Sequence, residues 1–281
     1  MLPLTDISTK VIGLPWQYLA LSMVICLVLS ALGFKRVVYF VSLGYATSIA
    51  AQAIVMPLIY WNTVHGWVLV QAALLLAYGL RLGTFVTIRE QAASYRNEQA
   101  ENAAREAKVR GPMKAAIWVI VSILYVLMFL PALLTMSAQA AGEPLQWTPV
   151  GVVLMAIGLG VEACADWQKS LFKKHSPSHF CDVGLYRLVR FPNYFGEIVF
   201  WFGVWISAIS AYHSLLTWLV GSLGLVCIAG IMIGSSRRLE MKQTNRYGAD
   251  PAYMAYARMT PILFPFLPLY SLRSGKVLPA T

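Results

Sequence analysis

The stretch Asp182–Glu197, DVGLYRLVRFPNYFGE, runs without a break into the apolar segment IVFWFGVW, and that junction decides how the chain is read. Arginines, tyrosines, an asparagine and carboxylates are gathered at the mouth of a membrane-type segment. Arg187 and Arg190 can bind phosphate oxygens through charge-assisted hydrogen bonds. Asn193 and Glu197 are four residues apart, so they share one face of the helix expected after Pro192. Such groups are costly at membrane depth, which makes a functional site the default reading.

Outward from that junction the whole chain has the same character. Of its 281 residues, 58% are hydrophobic and only 12% charged, too apolar a balance for one soluble core. Seven apolar stretches of about 20 residues can be marked, at 16–33, 37–61, 66–88, 115–136, 148–165, 193–212 and 214–234. The expected fold is therefore all-α, a polytopic bundle of seven transmembrane helices with its termini on opposite sides.

Charge sets the orientation. Apart from Lys10 and Arg81, 20 of the 22 Lys and Arg residues fall in alternate loops or the C-terminal tail: Lys35 and Arg36, six over 89–114, five over 169–190 and seven over 237–276. The intervening loops, around His65, Glu143 and His213, carry none. By the positive-inside rule the N-terminus faces outward and the C-terminus faces the cytoplasm, across the inner membrane if the cell is prokaryotic. The net charge of +10 follows from this topology and from attraction to anionic lipid. Nucleic acid is not needed to explain it.

Cys26, Cys164, Cys181 and Cys227 are scattered, with no CxxC spacing, so neither zinc nor a disulfide framework is expected. The N-terminal stretch lacks a basic flank and a cleavage site and reads as a retained first span. The segment 89–114 is rich in Ala, Glu and Arg, and is expected to prolong span three as a cytoplasmic helix ending at Gly111 and Pro112. His175 and His179 read as surface loop residues, and Trp16, Trp61, Trp67 and Trp147 as interfacial belt residues.

Three further constellations share the cytoplasmic side. Glu162 and Asp166, four apart near the end of span five, point the same way and need donors. Tyr78 and Arg81 share a face of span three inside the apolar zone, where an unpaired arginine costs about 2.5 kcal/mol or more. The tail helix stops at Gly248 and is followed by Tyr253, Tyr256 and Arg258 before a proline-punctuated apolar end, which is suited to fold back as a lid.

These residues carry a resemblance. GLYRLVRFPNYFGE, preceded by EACADWQKSLF and followed by LEMKQTNRYGADPAYMAYARMTPILFPFLP, resembles the C-terminal half of the steroid 5-alpha-reductase family and its bacterial relatives. The related sterol C14 and C7 reductases share its RxxNYxG(E/D) and KYG patterns. The resemblance covers about residues 150–268, and the order of the motifs is more specific than any one of them.

It implies a single integral membrane domain, with substrate-side helices over 1–136 and an NADPH-binding region over 148–268. NADPH enters from the cytoplasm, and a lipophilic steroid or sterol enone is reduced between spans one to four and the cofactor. Asn193 and Glu197 would hold the nicotinamide carboxamide, with Tyr194 beside them in the same motif. Asp166 and Glu162 would face the ribose or pyrophosphate. Lys173, Arg190, Arg237 and Arg238 would serve the phosphates, including the 2′-phosphate that distinguishes NADPH from NADH. Tyr78 matches the tyrosine that donates to the substrate 3-ketone, and Gln52 is the expected partner on span two.

The chain departs from the pattern in places. Span two lacks the family's carboxylate, Phe191 stands where bacterial relatives usually carry histidine, and Ser236 and Glu240 stand on the cofactor side where steroid enzymes tend to have histidine and tyrosine. The implied chemistry is conjugate reduction, with Tyr78 and Gln52 stabilising an enolate in the manner of an oxyanion hole. No obligate protein partner is implied, only substrate and membrane lipid.

Two rivals differ in class. A membrane methyltransferase of the isoprenylcysteine or phospholipid type, using S-adenosylmethionine, has a similar RHPxYxG motif, but the Asn193–Glu197 combination and the arginines favour a dinucleotide. A non-enzymatic receptor or transporter would need outward loops or broken-helix repeats, which this chain lacks.

Overall fold

A computed structural model describes residues 14–91, 99–100, 103 and 106–272. Among them every regular element is helical: α1 Trp16–Ser30, α2 Leu43–Ile59, α3 Gly66–Gln91, α4 Gly111–Ala140, α5 Thr148–His175, α6 Pro192–Ser207, α7 Leu215–Tyr247 and α8 Pro251–Met259. Short 3₁₀ turns at Ala31–Phe34 and Val37–Val41 lengthen the first two apolar segments.

Among the described residues six segments are long and apolar enough to cross a membrane: Trp16–Phe34, Val37–Ile59, Gly66–Gln91, Gly111–Ala140, Thr148–His175 and Leu215–Tyr247. The chain is a multi-pass helical membrane protein. Its outer faces agree: Val28, Ile120, Leu215 and Val226 are 66, 64, 75 and 64% exposed, which lipid accommodates and water would not. The stretch expected as a span over 193–212 is α6, of 16 residues, followed by a 3₁₀ turn at Ile209–Ala211. At 1.5 Å per residue α6 alone is about 24 Å long, less than the ~30 Å hydrocarbon core.

Gly111 and Pro112 do not end a helix as expected; they open α4, with proline in its first turn where the missing N–H costs nothing. Much of the helix expected over 89–114, Lys10, and the outermost cations of the C-terminal tail lie outside the described residues.

The chain divides into two compact units. One comprises residues up to Val152 together with Val204–Leu225; the other comprises Val153–Gly203 and the residues from Val226 onward. Val204–Leu225 thus packs with the N-terminal helices. Two contacts hold it there. Thr148 donates its hydroxyl to the Ser207 carbonyl at 2.9 Å, and Gly224 lies so close to α4 that a Cβ would sit 2.6 Å from the Leu127 carbonyl oxygen.

In the first unit small residues do the packing, as suits helices with no hydrophobic drive between them. α1 buries Ser22, Cys26 and Ser30, spaced by four, and leaves its bulky residues outward. The Ser30 and Ser122 hydroxyls lie 2.9 Å apart, and the Trp118 indole N–H donates to the Leu27 carbonyl at 2.8 Å. α3 meets α2 through Gly79, where a Cβ would come 2.7 Å from the Ala46 carbonyl oxygen and 2.9 Å from the Ala50 Cβ.

In the second unit α5 and α6 run antiparallel, backbone on backbone. A Cβ on Gly158 would lie 2.4 Å from the Phe200 nitrogen, and one on Gly196 would lie 2.8 Å from the Glu162 nitrogen.

Candidate functional site

The α5–α6 crossing positions the first group of side chains. Gly196 lets the α5 backbone approach, and this sets Glu162, 4% exposed, against the turn of α6 that carries Glu197, 6% exposed. Asn193 is half-buried one turn before Glu197, near the start of the helix. Carboxylates this deeply buried are uncommon unless they serve a partner or a function. The Gly196 contact thus brings the α5 turn of Glu162 to the α6 backbone next to Glu197. Asp166 is half-buried one turn further along α5, close enough to the Tyr186 phenol to act on it electrostatically.

The segment before α6 is held from several sides. Gly184 has a φ of +59°, the left-handed region that favours glycine. Gln168 Oε1 accepts the Leu185 N–H at 2.9 Å, Tyr186 donates to the Ala165 carbonyl at 3.3 Å, and Tyr256 donates to the Tyr186 carbonyl at 2.6 Å. Burial pushes the Tyr186 and Tyr256 phenols well above their ordinary pKa, so both remain protonated donors.

The proline-rich tail does fold back. The Arg190 and Phe191 N–H groups donate to the Pro261 and Ile262 carbonyls at 2.9 and 3.1 Å, and Ile262 donates to Leu269 at 2.8 Å. Phe191 is buried with Ile262 and Leu263, and Tyr194 packs against this cluster. An apolar ring suits that contact.

The predicted phosphate ligands separate into two kinds. Arg190 is 2% exposed, and its guanidinium is 3.5 Å from Glu240 and donates to the Tyr270 carbonyl. The Lys173 ammonium is engaged by the Pro177 and His179 carbonyls and the Tyr247 hydroxyl. Both cations thus serve the fold. Arg237 and Arg238, by contrast, are exposed on α7. Ser236 is buried and donates to the Met232 carbonyl of its own helix at 2.9 Å, and Glu240 accepts the Leu272 N–H at 2.9 Å.

The second group of side chains lies in the first unit. Tyr78 on α3 is fully buried, and its hydroxyl lies 2.8 Å from that of Tyr45 on α2. Gln52, also fully buried, is not the hydrogen-bonding partner: its amide donates to the Ser48 carbonyl at 3.1 Å, and its Oε1 has no partner among the described residues. Tyr45 escaped notice in the sequence, although it lies seven residues before Gln52 and hence on the same helical face. Tyr125 completes the group, stacked on Tyr45 at 5.2 Å and 19° and donating to the Phe40 carbonyl at 2.5 Å.

A separate shallow groove of about 400 Å³ is lined by Gln168, Leu171, Phe172, His175, Val183 and Gly184. None of the predicted site residues lines it.

Fold and site together define a polytopic helical membrane protein with buried polar clusters in its helices. The family described as "Protein of unknown function (DUF1295)" matches residues 25–260, and the chain belongs to it. No curated protein and no solved structure matches the chain.

Proposed function

We propose that the protein is an NADPH-dependent membrane reductase that saturates the C4–C5 double bond of 3-oxo-4-ene steroids. The observation that carries this reading is the Asn193, Glu197 and Glu162 cluster at the α5–α6 crossing, set in the motif that resembles the steroid 5-alpha-reductases.

The residues fit the cofactor at its nicotinamide end. Asn193 offers both an amide donor and a carbonyl acceptor, and Glu197 offers a buried acceptor one turn on, which together complement a carboxamide. At the phosphate end the exposed Arg237 and Arg238 are the suited cations, whereas Arg190 and Lys173 shape the surrounding backbone. NADPH supplies a hydride when bound.

On the substrate side the reduction places a hydride on C5 and a proton on C4, and negative charge passes through the 3-oxygen on the way. Tyr78 is the donor assigned to that oxygen. Its hydrogen bond strengthens as charge develops, so it lowers the barrier more than it aids binding. A buried apolar setting enhances the effect, because there is no water to compete.

The reading also sets a topology of seven spans with the C-terminal side cytoplasmic, in the inner membrane if the cell is prokaryotic. In its support, α6 is apolar beyond Glu197 and runs antiparallel to the spanning helix α5.

Product analysis tests the reading. Purified protein in lipid vesicles, given NADPH and testosterone or progesterone, is expected to yield the 5-alpha-dihydro steroid. Reduction of isolated sterol ring double bonds instead would move it to the sterol reductase branch. Methyl transfer from S-adenosylmethionine would overturn both.

A further inference from the structure

The proline-rich tail that folds back beside α6 has an apolar tip that the described residues leave uncovered: Phe266 is 91% exposed and Leu267 53%. We propose that this tip is a membrane anchor, with Phe266 and Leu267 inserted among the acyl chains of the surrounding lipid. Nothing about the reaction enters, and every residue involved lies in the second unit.

Hydrogen bonds and packing fix where the tip sits. Ile262 donates to the Leu269 carbonyl at 2.8 Å, which closes residues 263–268 into a loop. The Phe191 N–H donates to the Ile262 carbonyl at 3.1 Å, which ties the base of that loop to the residue before α6. From this base the loop runs along the helix: Phe195 and Ile198 of α6 and Phe264 of the loop pack on the buried Phe191, Ile262 and Leu263, and the Phe195 and Phe264 rings meet edge to face at 6.2 Å and 88°. This turn of α6 lies against Glu162 of α5 through Gly196. Lys169, the first cation of α5, comes seven residues after Glu162, so the loop reaches about 10 Å to the apolar side of that charge. There the helix surfaces are already suited to lipid, with Ile157 on α5 and Ile233 on α7 both exposed.

The chemistry of the loop suits that depth. Hydrocarbon offers no partner to a backbone N–H, so open donors are costly in it. Pro261, Pro265 and Pro268 have no N–H, and Ile262, Leu267 and Leu269 donate theirs to the Leu269, Phe264 and Leu267 carbonyls. No charged residue occurs from Thr260 to Tyr270. Just before this stretch stand the exposed Met259 and the exposed Arg258, whose guanidinium can reach lipid phosphates while its stem lies along the apolar boundary. Two bulky side chains at a loop tip are also too few for a stable protein interface, which buries about 800 Å² on each side. They are enough to enter a bilayer that flanks the loop.

Spin labelling of the full-length protein in phospholipid vesicles tests the anchor. With the exposed Cys164 and Cys227 replaced by serine, a label at Phe266→Cys is expected to collide more with oxygen, which concentrates in hydrocarbon, than with a water-soluble nickel chelate. A label at Asn245→Cys, exposed on α7, should show the reverse. Leu267→Cys should report as Phe266→Cys does, and should lose its oxygen preference when Phe266→Asp is added, because a carboxylate is costly among acyl chains.

Preference for the nickel chelate at both tip positions would overturn the proposal. Shielding from both reagents, or spin–spin broadening from a second copy, would overturn it as well, by showing that protein covers the tip. Oxygen preference retained at position 267 in the Phe266→Asp variant would remove the anchoring role of Phe266.

Discussion

Arg190 and Glu240, fifty residues apart, form a buried ion pair at 3.5 Å, with their side chains 1 and 5% exposed. Each also secures the tail: the guanidinium donates to the Tyr270 carbonyl, and the second carboxylate oxygen accepts the Leu272 N–H. The pair is thus a latch between the turn before α6, the helix α7 and the chain end that folds over them.

Breaking the latch from one side leaves an uncompensated buried charge, a cost of about 3–5 kcal/mol. Glu240→Ala is expected to lower the thermal inactivation temperature in detergent and to open the segment around Tyr270 to protease. A melting curve that coincides with the wild type, with the same protease pattern, would count against the latch.

The α5–α6 crossing predicts a contrast between glycines. Gly196→Ala forces a methyl group to 2.8 Å from the Glu162 nitrogen and the Gly158 carbonyl oxygen, which backbone cannot relieve by rotating a side chain. Destabilisation of about 1–3 kcal/mol is expected from such overpacking. Gly160→Ala meets nothing within 4 Å and should instead stabilise the helix, by up to about 1 kcal/mol. Parallel thermal scans of the two variants measure the contrast.

A second contrast lies on α3. Gly79→Ala presses on the Ala46 carbonyl at 2.7 Å, whereas Gly83→Ala makes an ordinary contact with the Ala46 Cβ at 3.6 Å. Gly79→Ala should therefore disturb the Tyr45–Tyr78 pair and lose activity, and Gly83→Ala should retain it. Comparable activity in both would show that the helix register does not govern the tyrosines.

On the proposed reading, the exposed arginines of α7 would set the cofactor preference. Arg237→Ala or Arg238→Ala is expected to weaken NADPH binding about tenfold while changing NADH little, because only the former carries the 2′-phosphate. Titration with both dinucleotides checks this, and an equal loss for the two would assign these residues to some other role.

On the same proposed reading, Glu197→Ala is expected to reduce turnover about a hundredfold or more by misplacing the reacting groups. Asn193→Ala should behave likewise. Full activity in either folded variant would refute the assignment.

Much of this was legible before any coordinates. Apolar length and the alternation of basic loops specify a multi-pass helical membrane protein, because lipid leaves a backbone few other ways to satisfy its polar groups. The i, i+4 spacing of Asn193 and Glu197, and of Glu162 and Asp166, placed those pairs on common faces, since helical period is a local property. The return of the proline-rich tail onto the segment before α6 could likewise be anticipated from the stop at Gly248 and the apolar residues beyond it.

What tertiary structure alone decided are the partners across elements. A row of residues gives no sign that Arg190 is spent on Glu240 and the tail, or that Lys173 is spent on its own loop and Tyr247; from composition both are simply cations beside apolar segments. Nor does it reveal that Tyr78 meets Tyr45 instead of Gln52. Both lie on the same face of α2, and the choice between them depends on helix register. That register is set where Gly79 admits the α2 backbone, a contact between residues more than thirty positions apart that no local pattern encodes.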